Sequence, residues 1–217
     1  MNPEKLIAEI IAVGDEVLSG RVINTNASFL SKELEKIGFT VKYQQVVSDE
    51  KDAITVALRL AATRSSVIVF CGGLGPTEDD LTKETVAEAF GRQLVLDETV
   101  LAEIEDYFSS RGMEMSDNNR KQALVPDGCK VLHNKNGTAP GLILQKGKQA
   151  VVLLPGPPSE LRPLFLDVAA PILKDMNGTI ILSASLMVTG ISESSLETKT
   201  QDLLYGDNPH SALYAGG

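Results

Sequence analysis

Several residue types that mark particular classes of protein are scarce in this chain. Its 217 residues include only two cysteines and two histidines. The cysteines, Cys71 in an apolar run and Cys129 in a loop, argue against a disulfide framework and favour a reducing, cytoplasmic setting. Neither His133 nor His210 has a partner at metal-ligand spacing, so we expect both to be structural or solvated.

Long apolar runs and basic clusters are also missing. No stretch of 18 or more apolar residues occurs, so no transmembrane helix is predicted. The first residues lack a basic region followed by an apolar one, and we therefore expect no signal peptide. The formal net charge of -9, without a cluster of lysine and arginine, argues against a nucleic-acid binder, which needs a basic patch to neutralise phosphates.

Three well-known motifs of nucleotide-binding and catalytic loops do not occur in this sequence. There is no Gly-Lys-Ser/Thr sequence of a P-loop, and the dinucleotide pattern Gly-x-Gly-x-x-Gly fails because Glu78 stands where a glycine is needed. No Gly-x-Ser-x-Gly sequence occurs, which disfavours a serine hydrolase.

Short apolar strands alternate with helical segments along the chain. Runs at 6–13, 67–71 and 150–154 read as buried strands, and the segments between them show helical spacing of apolar residues. Lys146-Gly147-Lys148 separates two apolar runs as a hairpin turn would, so one strand pair is antiparallel. The sequence predicts a three-layer α/β/α sandwich around a mostly parallel, mixed sheet.

Residues 177–217 are predicted to be separate from this sandwich. We place the main domain at residues 1–176 and a short α+β appendage at residues 177–217. The appendage offers one strand (179–188) and one helix (192–204), which cannot bury a core alone. It is therefore either an accessory segment or the start of a second domain that the chain cuts short.

Unusual loops follow four of the predicted strands, after Val13, Val47, Cys71 and Leu154. In open α/β sheets, ligands bind beyond the carboxyl ends of the strands. The sequence therefore predicts a ligand site where these four loops meet.

The loop "GGLGPTEDDLT" joins glycines to acids. Gly72, Gly73 and Gly75 allow a tight turn with exposed N–H groups, which attract anions. Asp79 and Asp80 would repel an anion unless a divalent cation of the Mg²⁺ type, which prefers carboxylate oxygens, binds between them. A plain strand-to-helix turn, with acids that favour the helix dipole, is the alternative.

The other loops allow similar pairs of interpretations. Gly14-Asp15-Glu16 repeats the glycine–acid pattern but also suits a capped turn, and Asn24-Thr25-Asn26 and Asp49-Glu50 suit helix caps. Pro155 to Glu160 forms a rigid bend that can shape a pocket wall. Asn136 to Gly141 is either a ligand loop or a turn between strands. Arg120 and Lys121 are the best cationic candidates for contacting phosphate.

Five motifs in order resemble one family. They are "VGDEVLSG" at 13–20, "NTN" at 24–26, "GGLGPTEDDLT" at 72–82, "NGTAPG" at 136–141 and "LPGPPSE" at 154–160. Together they are similar to the N-terminal domain of the competence/damage-inducible protein CinA family, which is similar in turn to the molybdopterin-binding MoaB/MogA proteins. The resemblance covers about residues 5–175 and continues with "GISESSLE" at 190–197 and "NPHSALYA" at 208–215.

The resemblance implies an activity as well as a fold. It implies a homo-oligomer, a dimer or trimer, whose pocket takes a nucleotide or pterin, and a divalent-metal-dependent (Mg²⁺ or Co²⁺) ADP-ribose pyrophosphatase that yields AMP and ribose 5-phosphate. The nicotinamide-nucleotide deamidase domain of full-length relatives is not in this sequence. A non-catalytic pterin or nucleotide binder and a MogA-like adenylyltransferase are the alternatives.

On this hypothesis Asp79 and Asp80, with Glu16, hold the cation and activate water. The expected ligand-binding residues belong to the small-residue and polar loops at the strand ends: Gly14, Asp15, Asn26, Asp49, Gly72, Gly73, Gly75, Thr77, Gly137, Thr138, Gly156, Pro157 and Ser159.

Overall fold

The computed structural model describes residues 6–177, 185–204 and 211–213. The chain divides into two compact units, Met1–Leu182 and Ser183–Gly217. In the second unit the structure describes two short helices.

Strands of the first unit form a six-stranded sheet and a two-stranded ribbon. In chain order they are β1 Ile7–Val13, β2 Thr40–Val47, β3 Val67–Cys71, β4 Leu94–Leu96, β5 Leu124–Pro126, β6 Lys130–Leu132, β7 Gly141–Lys146 and β8 Gln149–Leu154. The sheet has the order β2-β1-β3-β8-β7-β6, and the ribbon pairs β4 with β5. Neighbours among β2, β1, β3 and β8 are parallel, whereas β7 runs antiparallel to β8 and to β6. The predicted mixed, mostly parallel sheet is confirmed.

Five α-helices of the first unit lie between these strands in the described chain, and two follow β8. They are α1 Asp15–Leu18, α2 Thr25–Lys36, α3 Lys51–Ala62, α4 Thr82–Ala89, α5 Glu98–Ser109, α6 Pro158–Leu164 and α7 Ala170–Asn177, with a π-helical turn, Phe165–Ala169, joining the last two. A 3-10 helix spans Asp117–Ala123. The second unit contains α8 Glu193–Lys199 and α9 Gln201–Leu204. Within the described residues, no helix is long and apolar enough to cross a membrane.

Two hydrophobic cores cover the two faces of the sheet. Alternate residues of a strand point to opposite faces, so Ile10 of β1 joins one core and Ile11 joins the other. The first core includes Leu30 of α2 and Phe165 of the π-helical turn. The second includes Ile54 of α3 and residues of α4. Helices therefore cover both faces, which is the predicted three-layer sandwich.

Three details differ from the sequence predictions. The strand expected at 94–96 is β4, but α1, β5 and the pairing of β4 with β5 were not predicted, because such short elements carry too few residues to show a period. Residues 179–184 of the expected strand in the appendage lie outside the described residues, and 185–188 form no strand. The helix expected at 192–204 is two helices with Thr200 between them.

A buried carboxylate ties the amino-terminal half of the sheet together. Glu9 of β1 is fully buried and accepts hydrogen bonds from Arg64 (2.6 and 3.0 Å), Ser65 (2.9 Å) and Gln45 (2.7 Å). Burial raises the pKa of Glu9, but these hydrogen bonds and the charge of Arg64 outweigh it, so the pKa lies below its ordinary value. The guanidinium also lies over the ring of Tyr43, 3.8 Å from its centre.

Replacing Glu9 with glutamine should destabilise the fold in a pH-dependent way. Because the folded pKa is depressed, the stabilisation is present above the ordinary pKa of 4.5 and is lost as the pH falls through the folded value. We expect Glu9→Gln to lower the free energy of unfolding by about 2 kcal/mol at pH 7. Urea unfolding at pH 7 and pH 4 measures this, with the exposed Glu35→Gln as the control. An equal loss at both pH values would contradict the linkage.

Candidate functional site

The loops after β1, β2, β3 and β8 meet at one edge of the sheet and line a cavity of about 480 Å³. Because β1 lies between β2 and β3, the chain leaves β1 in one direction and β3 in the other, which opens a crevice at this edge. The predicted residues that line it are Gly14, Glu16, Asn26, Asp49, Gly72, Gly73, Gly75, Asp79, Asp80, Thr138, Gly156 and Pro157.

Asp49 connects the first loop to the second. Its carboxylate accepts a hydrogen bond from the backbone N–H of Asp15 (3.0 Å), where α1 begins. Asp49 was expected to cap α3, but the residue at that cap is Glu50, whose side chain makes no capping hydrogen bond. The burial of Asp49 raises its pKa, and the negative charges of Asp15, Glu16 and Asp79 raise it further against the effect of the hydrogen bond. The acids of three loops therefore repel one another across the cavity.

The glycines after β3 are required by close packing. Gly72 has a φ of +105°, and a Cβ there would overlap the carbonyl oxygen of Val13 on the neighbouring strand. A Cβ on Gly73 would overlap the side chain of Thr82, whose hydroxyl donates to the carbonyl of Gly72 (3.0 Å). This loop therefore follows the sheet edge more closely than any residue with a side chain could.

Not all of these glycines can donate to a ligand. The N–H of Gly72 donates to the carbonyl of Leu154 (3.1 Å), so it continues the pairing of β3 with β8. Among the described residues, no protein acceptor takes the N–H groups of Gly73, Gly75 or Gly156. These three are the backbone donors that remain for an anion.

Asp80 is held in place by its own loop. Its Oδ2 accepts hydrogen bonds from the N–H (3.0 Å) and the hydroxyl (2.6 Å) of Thr77. The missing side chain of Gly75 gives the carboxylate its room. The residue at the cap of α4 is Leu81, and no side chain makes a capping hydrogen bond there.

Two lysines hold the loop from behind. Lys121, on the 3-10 helix, donates to the carbonyls of Thr77 (2.8 Å) and Asp80 (2.7 Å), and the buried Lys83 donates to the carbonyl of Lys121 (2.6 Å). Neither lysine lines the cavity, and neither does the exposed Arg120. Lys121 therefore contacts the backbone of the acidic loop, whereas the sequence suggested it for phosphate.

The first and last loops are joined by Asn26. Its amide donates to the carbonyl of Gly156 (2.7 Å), and its buried Oδ1 has no hydrogen-bond partner among the described residues. Asn24 is the helix cap that the sequence suggested, since its side chain accepts from the N–H of Ala27 (3.0 Å).

Four predicted residues lie beside the cavity without lining it: Asp15, Thr77, Gly137 and Ser159. Conversely, Glu160 and Gln122 line the cavity but were not nominated. Glu160 belongs to the quoted "LPGPPSE" motif, so its position next to the proline bend was the signal for it. Gln122 is buried and its amide lies 3.4 Å from the carbonyl of Leu74, which no local pattern indicates.

The sequence of this chain is similar to those of known proteins. Residues 9–175 match the model of a family described as a probable molybdopterin binding domain. A competence-damage inducible protein of Caldicellulosiruptor bescii is 47% identical over 211 residues, 97% of this chain and 51% of the relative. One from Bacillus cereus strain AH187 is 48% identical over 210 residues, 96% of this chain and 51% of the relative. The chain thus spans about half the length of these curated relatives.

A solved structure decides the family. The crystal structure of the protein CinA from Thermoplasma acidophilum superposes with a TM-score of 0.70 and 39% identity, over 78% of this chain and 97% of that one. This chain belongs to the CinA family. The molybdopterin biosynthesis enzyme MoaB of Thermus thermophilus superposes on this chain at 22% identity with a TM-score of 0.51, over 81% of this chain and 98% of that one, so the two share a fold.

The cavity of this chain is lined by carboxylate oxygens of the kind that bind a divalent cation. The carboxylates of Glu16, Asp79 and Asp80 line it, and Oδ1 of Asp80 has no hydrogen-bond partner among the described residues. Within the same residues, no three histidine, cysteine, aspartate or glutamate side chains are arranged to hold a metal by themselves. Mg²⁺ is usually held by one or two carboxylates, waters and substrate phosphates. The residues therefore fit a cation that a phosphate ligand helps to bind.

The buried Lys83 should make the stability of this chain depend on pH in the alkaline range. Burial lowers the pKa of Lys83 to about 8, against the ordinary 10.5; Lys121 lowers it further, whereas Glu84, Asp80 and Cys129 raise it. Between these two values only the unfolded chain keeps the proton, so the free energy of unfolding rises with pH, by at most about 3 kcal/mol.

Lys83→Met removes this rise, because methionine does not titrate. Urea unfolding of the wild type and Lys83→Met between pH 7 and pH 10.5 gives the difference between their free energies of unfolding. The contributions of titrating groups that both proteins contain cancel in this difference. The exposed Lys32→Met is the matched control and should keep the rise. Parallel curves for the wild type and Lys83→Met would show that Lys83 does not lose its proton in the folded state.

Proposed function

We propose that this chain hydrolyses the pyrophosphate bond of ADP-ribose to AMP and ribose 5-phosphate with the help of a divalent cation. The observation that carries the proposal is the composition of the cavity wall. Glu16, Asp49, Asp79, Asp80 and Glu160 line it, and no lysine, arginine or histidine does so within the described residues. An anionic ligand in such a cavity needs a countercharge that comes from outside the protein.

A diphosphate bound with a cation suits the cavity, because the cation pairs with the carboxylates and the phosphate oxygens accept hydrogen bonds from the free N–H groups. The N–H groups of Gly73, Gly75 and Gly156 are free to donate to phosphate oxygens. Asp79 and Asp80 are the residues proposed to hold the cation, because one loop fixes both at the same edge. When bound, the cation supplies neutralisation of the phosphate charge and a lower pKa for a bound water.

The chemistry then requires one proton acceptor. The oxygen of the water forms a bond to one phosphorus while the bond from that phosphorus to the bridging oxygen breaks, and the bridging oxygen leaves on the other phosphate. The proton of the water passes to a carboxylate, for which we assign Glu16. Its side chain lines the cavity, and its negative charge adds to the effect of burial in raising the pKa of Asp49.

The second candidate is a binding module that holds a pterin or nucleotide without cleaving it. The match of residues 9–175 to a molybdopterin-binding family favours this candidate. A MogA-like adenylyltransferase would in addition need ATP and a pterin bound together. Turnover of ADP-ribose separates the hydrolase from both alternatives.

Asp80→Asn should abolish the metal-dependent activity. The amide keeps an oxygen to accept from Thr77, so the loop stays in place, but it removes the charge that holds the cation. We expect AMP formation from ADP-ribose, followed by chromatography with Mg²⁺ or Co²⁺, to fall at least about 100-fold.

Glu78→Gln is the matched control, since Glu78 is an exposed acid of the same loop outside the cavity wall. It should keep nearly full activity. Full activity in Asp80→Asn would remove Asp80 from the mechanism. No AMP from the wild-type chain, together with tight binding of AMP or a pterin, would favour the binding module.

A further inference from the structure

Glu160 is an acid of the cavity whose carboxylate is held by a side-chain amide from another loop. Its Oε2 accepts a hydrogen bond from the amide of Asn134 (2.7 Å), which also donates to the carbonyl of Ala139 (2.9 Å). The Oδ1 of Asn134 accepts from the N–H of Asn136 (3.0 Å), so the amide is fixed at both ends. A Cβ on Gly137 would overlap the Glu160 carboxylate, and the glycine therefore leaves the room that the carboxylate occupies.

This carboxylate differs electrostatically from the other acids. Burial raises the pKa of Glu160, and the hydrogen bond from Asn134 opposes the rise; no other acid contributes. For Asp49, by contrast, Asp15, Glu16 and Asp79 all contribute. The cavity thus has an acidic part, where a cation is needed, and a part in which a single carboxylate stands alone.

The surroundings of Glu160 suit a flat ring. Pro155, Pro157, Pro158 and Ala139 line the same cavity and present apolar surface. A proline has no backbone N–H, so the three prolines offer no donor to a phosphate, and Gly156 between Pro155 and Pro157 is the donor that this loop keeps for one. Oε1 of Glu160 has no hydrogen-bond partner among the described residues and can accept from a ligand.

We propose that Glu160 is a specificity-determining residue, which accepts a hydrogen bond from the amino-substituted edge of the ligand's heterocycle. The inference rests on the proposed function in so far as the cavity takes a nucleotide or a pterin. Both adenine and a pterin carry an exocyclic amino group, which is the chemistry that a fixed carboxylate recognises. Asn134 and Gly137 are positioning residues, because they act through Glu160.

Glu160→Gln tests the inference with almost no change of shape. Asn134 donates to the oxygen nearest to it, so a glutamine must turn its carbonyl towards Asn134 and its NH₂ towards the ligand. A donor then meets the amino group of the ligand. We expect the variant to lose its preference for amino-bearing rings, whereas rings without the amino group bind about as before.

Binding is measured by calorimetry in the presence of Mg²⁺, for two pairs of probes. The first pair is AMP and purine riboside 5′-monophosphate, which lacks the amino group; the second is pterin and lumazine, which has an oxo group in its place. We expect the wild type to prefer the amino-bearing member of one pair about tenfold or more, and the pair identifies the ligand as purine or pterin. Glu160→Gln should reduce this preference to about twofold or less.

Two results would overturn the inference. One is a wild-type chain that distinguishes the members of neither pair, and the other is a preference that Glu160→Gln leaves intact. A further probe, 2′,3′-dideoxy-AMP, tests whether the carboxylate holds a ribose instead. If Glu160→Gln acts only on the contrast between AMP and this probe, the assignment to the ring is wrong.

Gly137→Ala provides a second variant, because its Cβ displaces the carboxylate without changing its charge. It should weaken the same preference, and circular dichroism checks that both variants fold. The exposed Glu105→Gln is the control that should bind like the wild type. Because AMP and pterin are bound without turnover, loss of the preference supports the inference even if ADP-ribose is never cleaved. Cleavage with an unchanged preference overturns the inference alone.

Discussion

The parallel pairing of four strands is the constraint on which the site depends. Val13 pairs with Val47, Ala12 with Cys71, and Cys71 with Leu154, so the four strands end nearly in register. Each of the four loops must therefore start from the same edge, whatever its own sequence prefers. A shift of one residue in β3 would move Gly72 away from the carbonyl of Val13 and would separate the acidic loop from the others.

The glycines have two different duties in this arrangement. Gly14 and Gly72 extend the pairing by one residue, since their N–H groups donate to Val47 and Leu154 (both 3.1 Å). Gly73 and Gly75 come after the pairing has stopped, and their N–H groups face away from any protein acceptor among the described residues. The backbone changes from paired to unpaired between Gly72 and Gly73. A backbone anion site at the sheet edge requires this change, because a donor already used in the ladder cannot also bind a ligand.

The sequence allowed the sheet and the meeting of the loops to be predicted, but not the partners of each side chain. Apolar runs reveal strands, and the strand order follows from the connections, so the edge that holds Asp49 and Asp80 was predictable. From the sequence Asp49 is a candidate helix cap, yet its carboxylate accepts a hydrogen bond from the N–H of Asp15, 34 residues away. Lys121 was a candidate for contacting phosphate, yet its ammonium group donates to the backbone carbonyl of Asp80 and does not line the cavity. Such pairs are set by tertiary packing, which local spacing does not encode.

The distribution of charge explains why the cavity suits a ligand with a cation better than a bare anion. The positive charges nearest the acidic loop, Lys83 and Lys121, are bound to backbone carbonyls behind it. The acids that line the cavity are left to repel one another: burial raises the pKa of Asp49, and the charges of Asp15, Glu16 and Asp79 raise it further. On the proposed function, a proton on Asp49 and a cation at Asp79 and Asp80 would relieve the same excess of negative charge, so the two would compete. By linkage, binding of the cation would lower the pKa of Asp49, and acid would weaken binding of the cation.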